Sequence, residues 1–200
     1  MASNLHLLET AKILYTTGFF IISSFESILT LARYAIENNK IFAINLSAVY
    51  ICDSYLKELL EIIEYADCVF GNEDETSAFG RKVGLEFSDL HEVTTYISKL
   101  PKKNTSKPRI VTTTQGKNPV LCSIYSPDTD ELFTSTTEVD VIDKENIMDL
   151  NGAGDAFVGG FLAQFVQGRD VAKCIDAGLY LSGDIIKRSG TCFPTPCHYE

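Results

Sequence analysis

The residues best equipped for chemistry are concentrated in Asn151-Gly152-Ala153-Gly154-Asp155. The string runs into Ala156-Phe157-Val158-Gly159-Gly160-Phe161-Leu162, an apolar stretch that reads as a helix. A helix start presents N–H groups with no partner inside the helix, and its macrodipole adds positive potential there. Gly152, Ala153 and Gly154 carry almost no side chain, so an anion can approach that backbone closely, as in an anion hole. Asp155 then places a carboxylate where phosphate would sit, which repels phosphate unless the carboxylate takes part in the reaction. Accepting the proton of an attacking hydroxyl during phosphoryl transfer is the chemistry that fits. A tight turn followed by an ordinary helix start reads equally from the same letters. No Lys-Ser or Lys-Thr follows the glycines, so this is not a P-loop, and Phe157 stands where a dinucleotide fingerprint needs its third glycine.

Other stretches carry weaker signals. Asn72-Glu73-Asp74-Glu75 sets an amide and a carboxylate at i, i+3, on one side of a helical turn. There they could orient Mg²⁺-bound waters or a phosphate, or form a plain N-cap with an acidic first turn. Thr114-x-Gly116 offers a hydroxyl and open backbone to a nucleotide, or marks a turn. Phe19, Phe20 and Tyr50 suit either an aromatic slot for a flat base or core packing. His6, His91 and His198 have neither metal nor triad spacing.

Positioning these residues requires alternating strands and helices. Lys12 to Ile22 reads as a buried strand ending at Gly18, then a turn. Phe25 to Asn38 has helical spacing, with Asn38-Asn39 as its stop. Ile41 to Leu46 is a second strand, and Asp53 opens a helix running through Ile63. Asp67 to Phe70 is a short strand and Glu73 to Arg81 a short helix. Ser88 is placed to cap a helix to Leu100, with Glu92 one position beyond the capping-box site. Pro101 to Pro108 reads as a flexible, lysine-bearing loop. Arg109 to Thr114 is β-branched, Val120 to Ser126 and Leu132 to Thr137 form a hairpin, and Val171 to Arg188 is the last helix before a tail. This order implies an α/β layered domain with a largely parallel sheet, whose ligands bind at the carboxyl ends of the strands. Gly18-Phe19-Phe20, Asn45-Leu46-Ser47, Gly71-Asn72 and Thr114-Gln115-Gly116 then form one rim.

Two hundred residues suffice for a single domain with a sizeable core. A formal net charge of −10, with no basic run beyond Lys102-Lys103, argues against nucleic-acid binding. The six cysteines form no Cys-x-x-Cys pair, which points to buried thiols rather than a zinc site or a disulfide scaffold. Short apolar runs argue against a membrane span, and residues 1–9 lack a signal-peptide pattern. A soluble intracellular protein is expected.

Assembled in this order, the stretches resemble the C-terminal part of the adenosine kinases, in the ribokinase-like family of sugar and nucleoside kinases. The resemblance rests on Gly18-Phe19-Phe20, Asn45-Leu46-Ser47-Ala48, Phe70-Gly71-Asn72-Glu73-x-Glu75, Thr114-Gln115-Gly116, Asn151 to Phe161, and Arg188-x-Gly190 with Phe193-Pro194. It implies a three-layer α/β/α core and the transfer of phosphate from ATP to the adenosine 5′-hydroxyl, with Mg²⁺ as cofactor and AMP as product. It also implies Asp155 as base, Gly152, Ala153 and Gly154 as anion hole, and Asn151 beside the ATP. Asn72 and Glu75 would match the family's Asn-x-x-Glu motif, with Glu75 reaching Mg²⁺ through water. Thr114 and Gly116 would lie by the ATP, and Phe19 and Tyr50 would flank the nucleoside, Tyr50 standing where adenosine kinases tend to have Phe. A monomer of the full-length protein in the cytoplasm, and also in the nucleus, completes the expectation.

Two departures accompany the resemblance. The family's chain begins well before the residues matched here, and that earlier part carries a small β lid, the first strands and most contacts to ribose and adenine. Its absence would leave an apolar edge uncovered. Leu150 replaces a small residue, commonly Thr, just before the anion loop, which removes a hydroxyl and adds bulk. Besides an adenosine kinase, a non-catalytic relative that binds nucleotide or a partner, and a kinase for another nucleoside or sugar, fit the same letters.

Overall fold

The computed structural model describes residues 6–191 and 199. Six strands form one sheet in sequential order: β1 (Ile13–Thr17), β2 (Ile41–Asn45), β3 (Cys68–Asn72), β4 (Arg109–Gln115), β5 (Asn118–Ser126) and β6 (Glu131–Thr137). The first four are parallel, in the registers Thr17↔Asn45, Asn45↔Phe70 and Asn72↔Thr114. Gly116 and Lys117 connect β4 to β5, too short a link for anything but a hairpin, so the sheet is mixed. Right-handed crossovers that always step the same way place their helices on one face. Leu14, Phe42, Ile44, Val69 and Val111 form that face, packed with buried residues of α1 (Phe20–Glu37), α3 (Leu56–Ile63), α4 (Glu73–Lys82) and α5 (Leu90–Lys99).

Several boundaries differ from the sequence expectation, for local reasons. The run Phe20-Ile21-Ile22 is the first turn of a helix rather than the turn expected after Gly18, because α1 starts directly after Gly18-Phe19 and kinks at Ser24. The single helix expected from Asp53 is two: α2 (Val49–Ser54) starts earlier, after Ala48 in extended conformation, and Tyr55 separates it from α3. Asp89, not Ser88, caps α5, which places Glu92 at the capping-box position after all. Ser88 adds its own hydroxyl to the Glu92 carboxylate at 2.9 Å.

The lysine-bearing loop after α5 is pinned rather than loose. Lys102 Nζ lies 2.7 Å from Asp67 Oδ1 with both side chains buried, and Lys107 donates to the carbonyls of Asn39 and Lys40. Burial pulls the Lys102 ammonium below its usual range, while Asp67 opposes that shift. Arg109, at the start of β4, is fully buried and donates to the carbonyls of Ile63, Ala66, Ile97, Ser98, Leu100 and Pro101. These carbonyls lie in and just beyond the last turns of α3 and α5, where helices leave acceptors short of partners, and one guanidinium gathers them.

A chain of buried hydroxyls fixes α4 and α5 to the sheet. Thr94 Oγ1 donates to the Leu90 carbonyl at 2.8 Å, so its contact with Thr113 Oγ1 at 2.9 Å takes the Thr113 proton. Thr76 Oγ1, 3.1 Å from Thr113, is then the donor in that contact.

Contacts divide the chain into two compact units: residues to Gly116 with Val120–Thr136, and Lys117–Pro119 with Thr137 onward. The second unit is built on α6 (Ala153–Phe165) and α7 (Val171–Ile185). The two helices cross at glycines: a Cβ on Gly160 would overlap the Ala177 carbonyl, and one on Gly178 would lie 2.8 Å from the Phe157 ring. Among the described residues, no helix is long and apolar enough to cross a membrane.

Candidate functional site

Each candidate residue belongs to one of the two units, and each unit is described by itself. In the first unit, the carboxyl ends of the parallel strands are tied into a continuous rim. Gly18 N–H donates to the Asn45 carbonyl and to Ser47 Oγ, both at 2.8 Å. Leu46 N–H donates to the Phe70 carbonyl at 2.8 Å, linking β2 to β3. Asn72 and Thr114 are register partners at the next step. A Cβ on Gly18 would lie 2.7 Å from the Leu46 carbonyl oxygen, so only glycine lets β1 and β2 end this close together.

Asn72 and Glu75 are held together by a capping box. Asn72 N–H and Nδ2 donate to Glu75 Oε2 and Oε1 at 3.0 and 2.8 Å, and Glu75 N–H returns to Asn72 Oδ1 at 2.9 Å. Glu75 is buried while Asn72 is exposed. The helix-cap reading of these residues is thus what the structure shows, with both Glu75 oxygens bonded to Asn72. Thr114 is half-buried beside Asn72, and Gly116 forms the β4–β5 turn at φ +57°. No atom lies within 4 Å of a Cβ built on Gly116, so the backbone conformation, rather than close approach, accounts for the glycine.

Phe19 and Tyr50 face each other across the β1 and β2 ends, with ring centroids 6.2 Å apart and planes at 37°. They are 47% and 49% exposed, so the pair is not part of the packed core. Phe20, 39% exposed, lies at the start of α1.

In the second unit, Gly152 at φ +80° is the N-cap of α6, and no side chain caps that end. Asn151 N–H donates to Asp149 Oδ1 at 2.9 Å, turning the chain before the helix. Met148 N–H bonds the Ile186 carbonyl at 2.8 Å, anchoring the approach to the end of α7. Gly154 has no atom within 4 Å of a would-be Cβ, and Asp155 is exposed in the first turn. Asn151 to Asp155 is therefore a helix start without a side-chain cap, with an exposed carboxylate on it and Ala153 N–H turned back to the Leu150 carbonyl at 3.3 Å. Leu150, 66% exposed, stands immediately before it.

A family model described as pfkB family carbohydrate kinase matches residues 1–197. The chain belongs to the pfkB family. Within it, the chain is 39% identical to adenosine kinase 1 of Arabidopsis thaliana, over 96% of this chain and 54% of that protein. It is 37% identical to the adenosine kinase of Schizosaccharomyces pombe, over 94% and 54% respectively. Among solved structures, Anopheles gambiae adenosine kinase in complex with P1,P4-di(adenosine-5) tetraphosphate superposes with a TM-score of 0.87 at 41% identity, covering 95% of this chain and 55% of that one. Schistosoma mansoni adenosine kinase in complex with 2-fluoroadenosine gives a TM-score of 0.88 at 35% identity, covering 96% and 55%. The chain is thus similar to the C-terminal part of adenosine kinases and spans about half the length of the curated relatives it matches.

For this pfkB chain, the sequence-derived rim is assembled within the first unit, and the glycine turn with Asp155 lies in the second. Thr76, Thr94 and Thr113 were not singled out by the sequence, and Ser47, named there in the rim, was not read as its hydroxyl link. A hydroxyl at φ +72°, as Ser47 has, leaves no letter pattern beyond the Asn-x-Ser string itself. Phe193 and Pro194, counted in the resemblance, lie outside the described residues, as does His198.

Proposed function

We propose that this chain carries the phosphoryl-transfer half of a nucleoside kinase that converts adenosine and ATP to AMP and ADP. The observation that carries the reading is the uncapped, glycine-lined start of α6 with Asp155 in its first turn, in a chain 39% identical to an adenosine kinase. Asp155 takes the proton of the adenosine 5′-hydroxyl. The 5′-oxygen forms a bond to the γ-phosphorus as the bond from that phosphorus to the β–γ bridging oxygen breaks, and ADP leaves. The N–H groups at Gly152, Ala153 and Gly154 hold the charge on the transferring group, Ala153 exchanging its 3.3 Å bond to the Leu150 carbonyl for the phosphoryl oxygen. Asn151 orients the turn beside the ATP, and Thr114 and Gly116 present a hydroxyl and a backbone to the nucleotide. Phe19 and Tyr50 flank the nucleoside base.

Among the described residues, no cluster of three or more His, Cys, Asp or Glu side chains could hold a metal by itself. The residues fit Mg²⁺ that arrives with ATP and keeps mostly phosphate and water ligands, Glu75 reaching it through water from the capping box. Such a metal would neutralise charge on the phosphates. The acidic composition and the absence of a basic run favour small-molecule substrates over nucleic acid. An ATP-supplied compartment, the cytoplasm or nucleus, suits the reaction.

A second reading is favoured by Leu150: a bulky apolar residue beside the turn suits a chain that binds nucleotide with little turnover. AMP formation from adenosine and Mg-ATP separates the two. Asp155→Asn is expected to lower the rate by about 10²- to 10⁴-fold while ATP binding stays nearly intact. A mutant keeping most of its rate would remove Asp155 from the role of base. A wild-type chain that binds ATP without forming AMP would favour the second reading.

A further inference from the structure

Ser47 occupies an unusual position that the proposed reaction leaves unexplained. Its backbone lies at φ +72°, a left-handed conformation rare for a residue with a side chain. Three hydrogen bonds hold it there. Ser47 N–H donates to Asn45 Oδ1 at 2.9 Å, Ser47 Oγ donates to the Asn45 carbonyl at 3.1 Å, and Gly18 N–H donates to Ser47 Oγ at 2.8 Å. The hydroxyl thus uses its proton toward β2 and a lone pair toward β1.

Its location gives these bonds their consequence. Gly18 is the residue immediately before Phe19, and Ser47 precedes Tyr50 by three residues, with Ala48 as the N-cap of α2. Beside the bond from Gly18 N–H to the Asn45 carbonyl, the Ser47 hydroxyl is thus a side-chain link between the two chain segments that carry the facing aromatic rings. Strain of this kind persists only where the surroundings over-determine it, and it gathers at functional sites.

We infer that Ser47 is a positioning residue that latches the β1 and β2 ends together and so sets the spacing of the Phe19–Tyr50 slot for a planar base. The inference rests on the reading of those two rings as the walls of the nucleoside site, which the test below keeps separable.

Ser47→Gly removes the hydroxyl yet accepts φ +72° without strain, and Gly18 N–H keeps its bond to the Asn45 carbonyl, so in a purely structural turn residue the relief of strain offsets the lost hydroxyl bonds. The positioning role predicts the opposite pattern in binding. Calorimetric titration should show a folded variant of equal or higher melting temperature whose adenosine dissociation constant rises about tenfold, within the range that ångström-scale misplacement produces. The ATP dissociation constant should not change. In the ligand-free wild type, an NMR cross-peak between Phe19 and Tyr50 ring protons should be present, and it should weaken or vanish in Ser47→Gly. Unchanged adenosine affinity with an unchanged cross-peak would overturn the inference, and so would a variant that fails to fold, which would make Ser47 a general support. Should the wild type itself not bind adenosine, the nucleoside reading fails, and the cross-peak alone decides whether the latch exists.

Discussion

Thr112 and Thr113 are neighbours on β4, both buried, yet their hydroxyls have different circumstances. Thr113 gives its proton to Thr94 and takes one from Thr76, whereas Thr112 Oγ1 has no hydrogen-bond partner among the described residues. Removing a hydroxyl that others depend on leaves them unsatisfied, while removing an unpartnered one relieves a cost. Thr113→Val is therefore expected to destabilise the fold by about 1–3 kcal/mol, and Thr112→Val to be neutral or stabilising by up to about 1 kcal/mol. Urea denaturation of both variants checks the contrast. The distinction was invisible in the string Ile-Val-Thr-Thr-Thr-Gln. Alternation shows that adjacent threonines face opposite ways, but not which of them meets another hydroxyl. The helix start at Gly152 to Asp155 was legible for the converse reason, since a glycine turn into a helix is local backbone chemistry.

At the scale of elements, caps explain most of the boundary differences. Ser88 and Asp89 are both competent N-caps, and Glu92 is three residues from Asp89, so the reciprocal box selects Asp89. The Ser88 hydroxyl, then the backbone N–H groups of Ser88 and Asp89, hold the Glu92 carboxyl below its usual range. A carboxyl lowered on folding stabilises above its unfolded value, and the gain disappears as pH falls through the folded one. Lowering the pH from neutral through about 4 and below should therefore fray the start of α5. Faster amide exchange near Glu92 would show it, and Glu92→Gln should flatten the pH response. The early starts of α1 and α2 escaped the sequence reading because Phe-Phe-Ile-Ile has the composition of a buried strand and because the left-handed Ser47 is not encoded in any apolar period. The strand ends, by contrast, were marked by Gly18, Asn45, Asn72 and Gln115-Gly116, and from them the rim could be read almost complete.

For the molecule as a whole, the first unit is secured at both ends of its parallel strands. The carboxyl ends hold the rim, and the segments that lead from α3 and α5 toward β3 and β4 converge on Arg109, which a sequence reader sees only as the first residue of a β-branched strand. Burial pulls its guanidinium down to about 10, opposed by the charges of Asp67 and Glu64. Its six carbonyl partners include the ends of two helices, so its loss leaves several buried acceptors unmet at once. Arg109→Leu is expected to cost at least about 3 kcal/mol, and Arg109→Lys should recover little of it, because an ammonium cannot reproduce the planar fork. Melting temperatures of the two variants test this. A change of this size threatens folding of the first unit, and would lower any activity through the amount of folded protein rather than through the rim's chemistry.

The buried thiols have a practical consequence. Cys52, Cys68 and Cys122 lie inside the first unit and Cys174 inside α7 of the second. Burial pushes Cys52 and Cys122 up to about 12 and Cys174 up to about 11. At neutral pH such sulfurs stay protonated and shielded, so an alkylating reagent reaches them only when the surrounding structure opens. Peptide mapping of labelled Cys52 and Cys122 against labelled Cys174 would time the opening of each half separately, giving a chemical clock already present in the natural sequence.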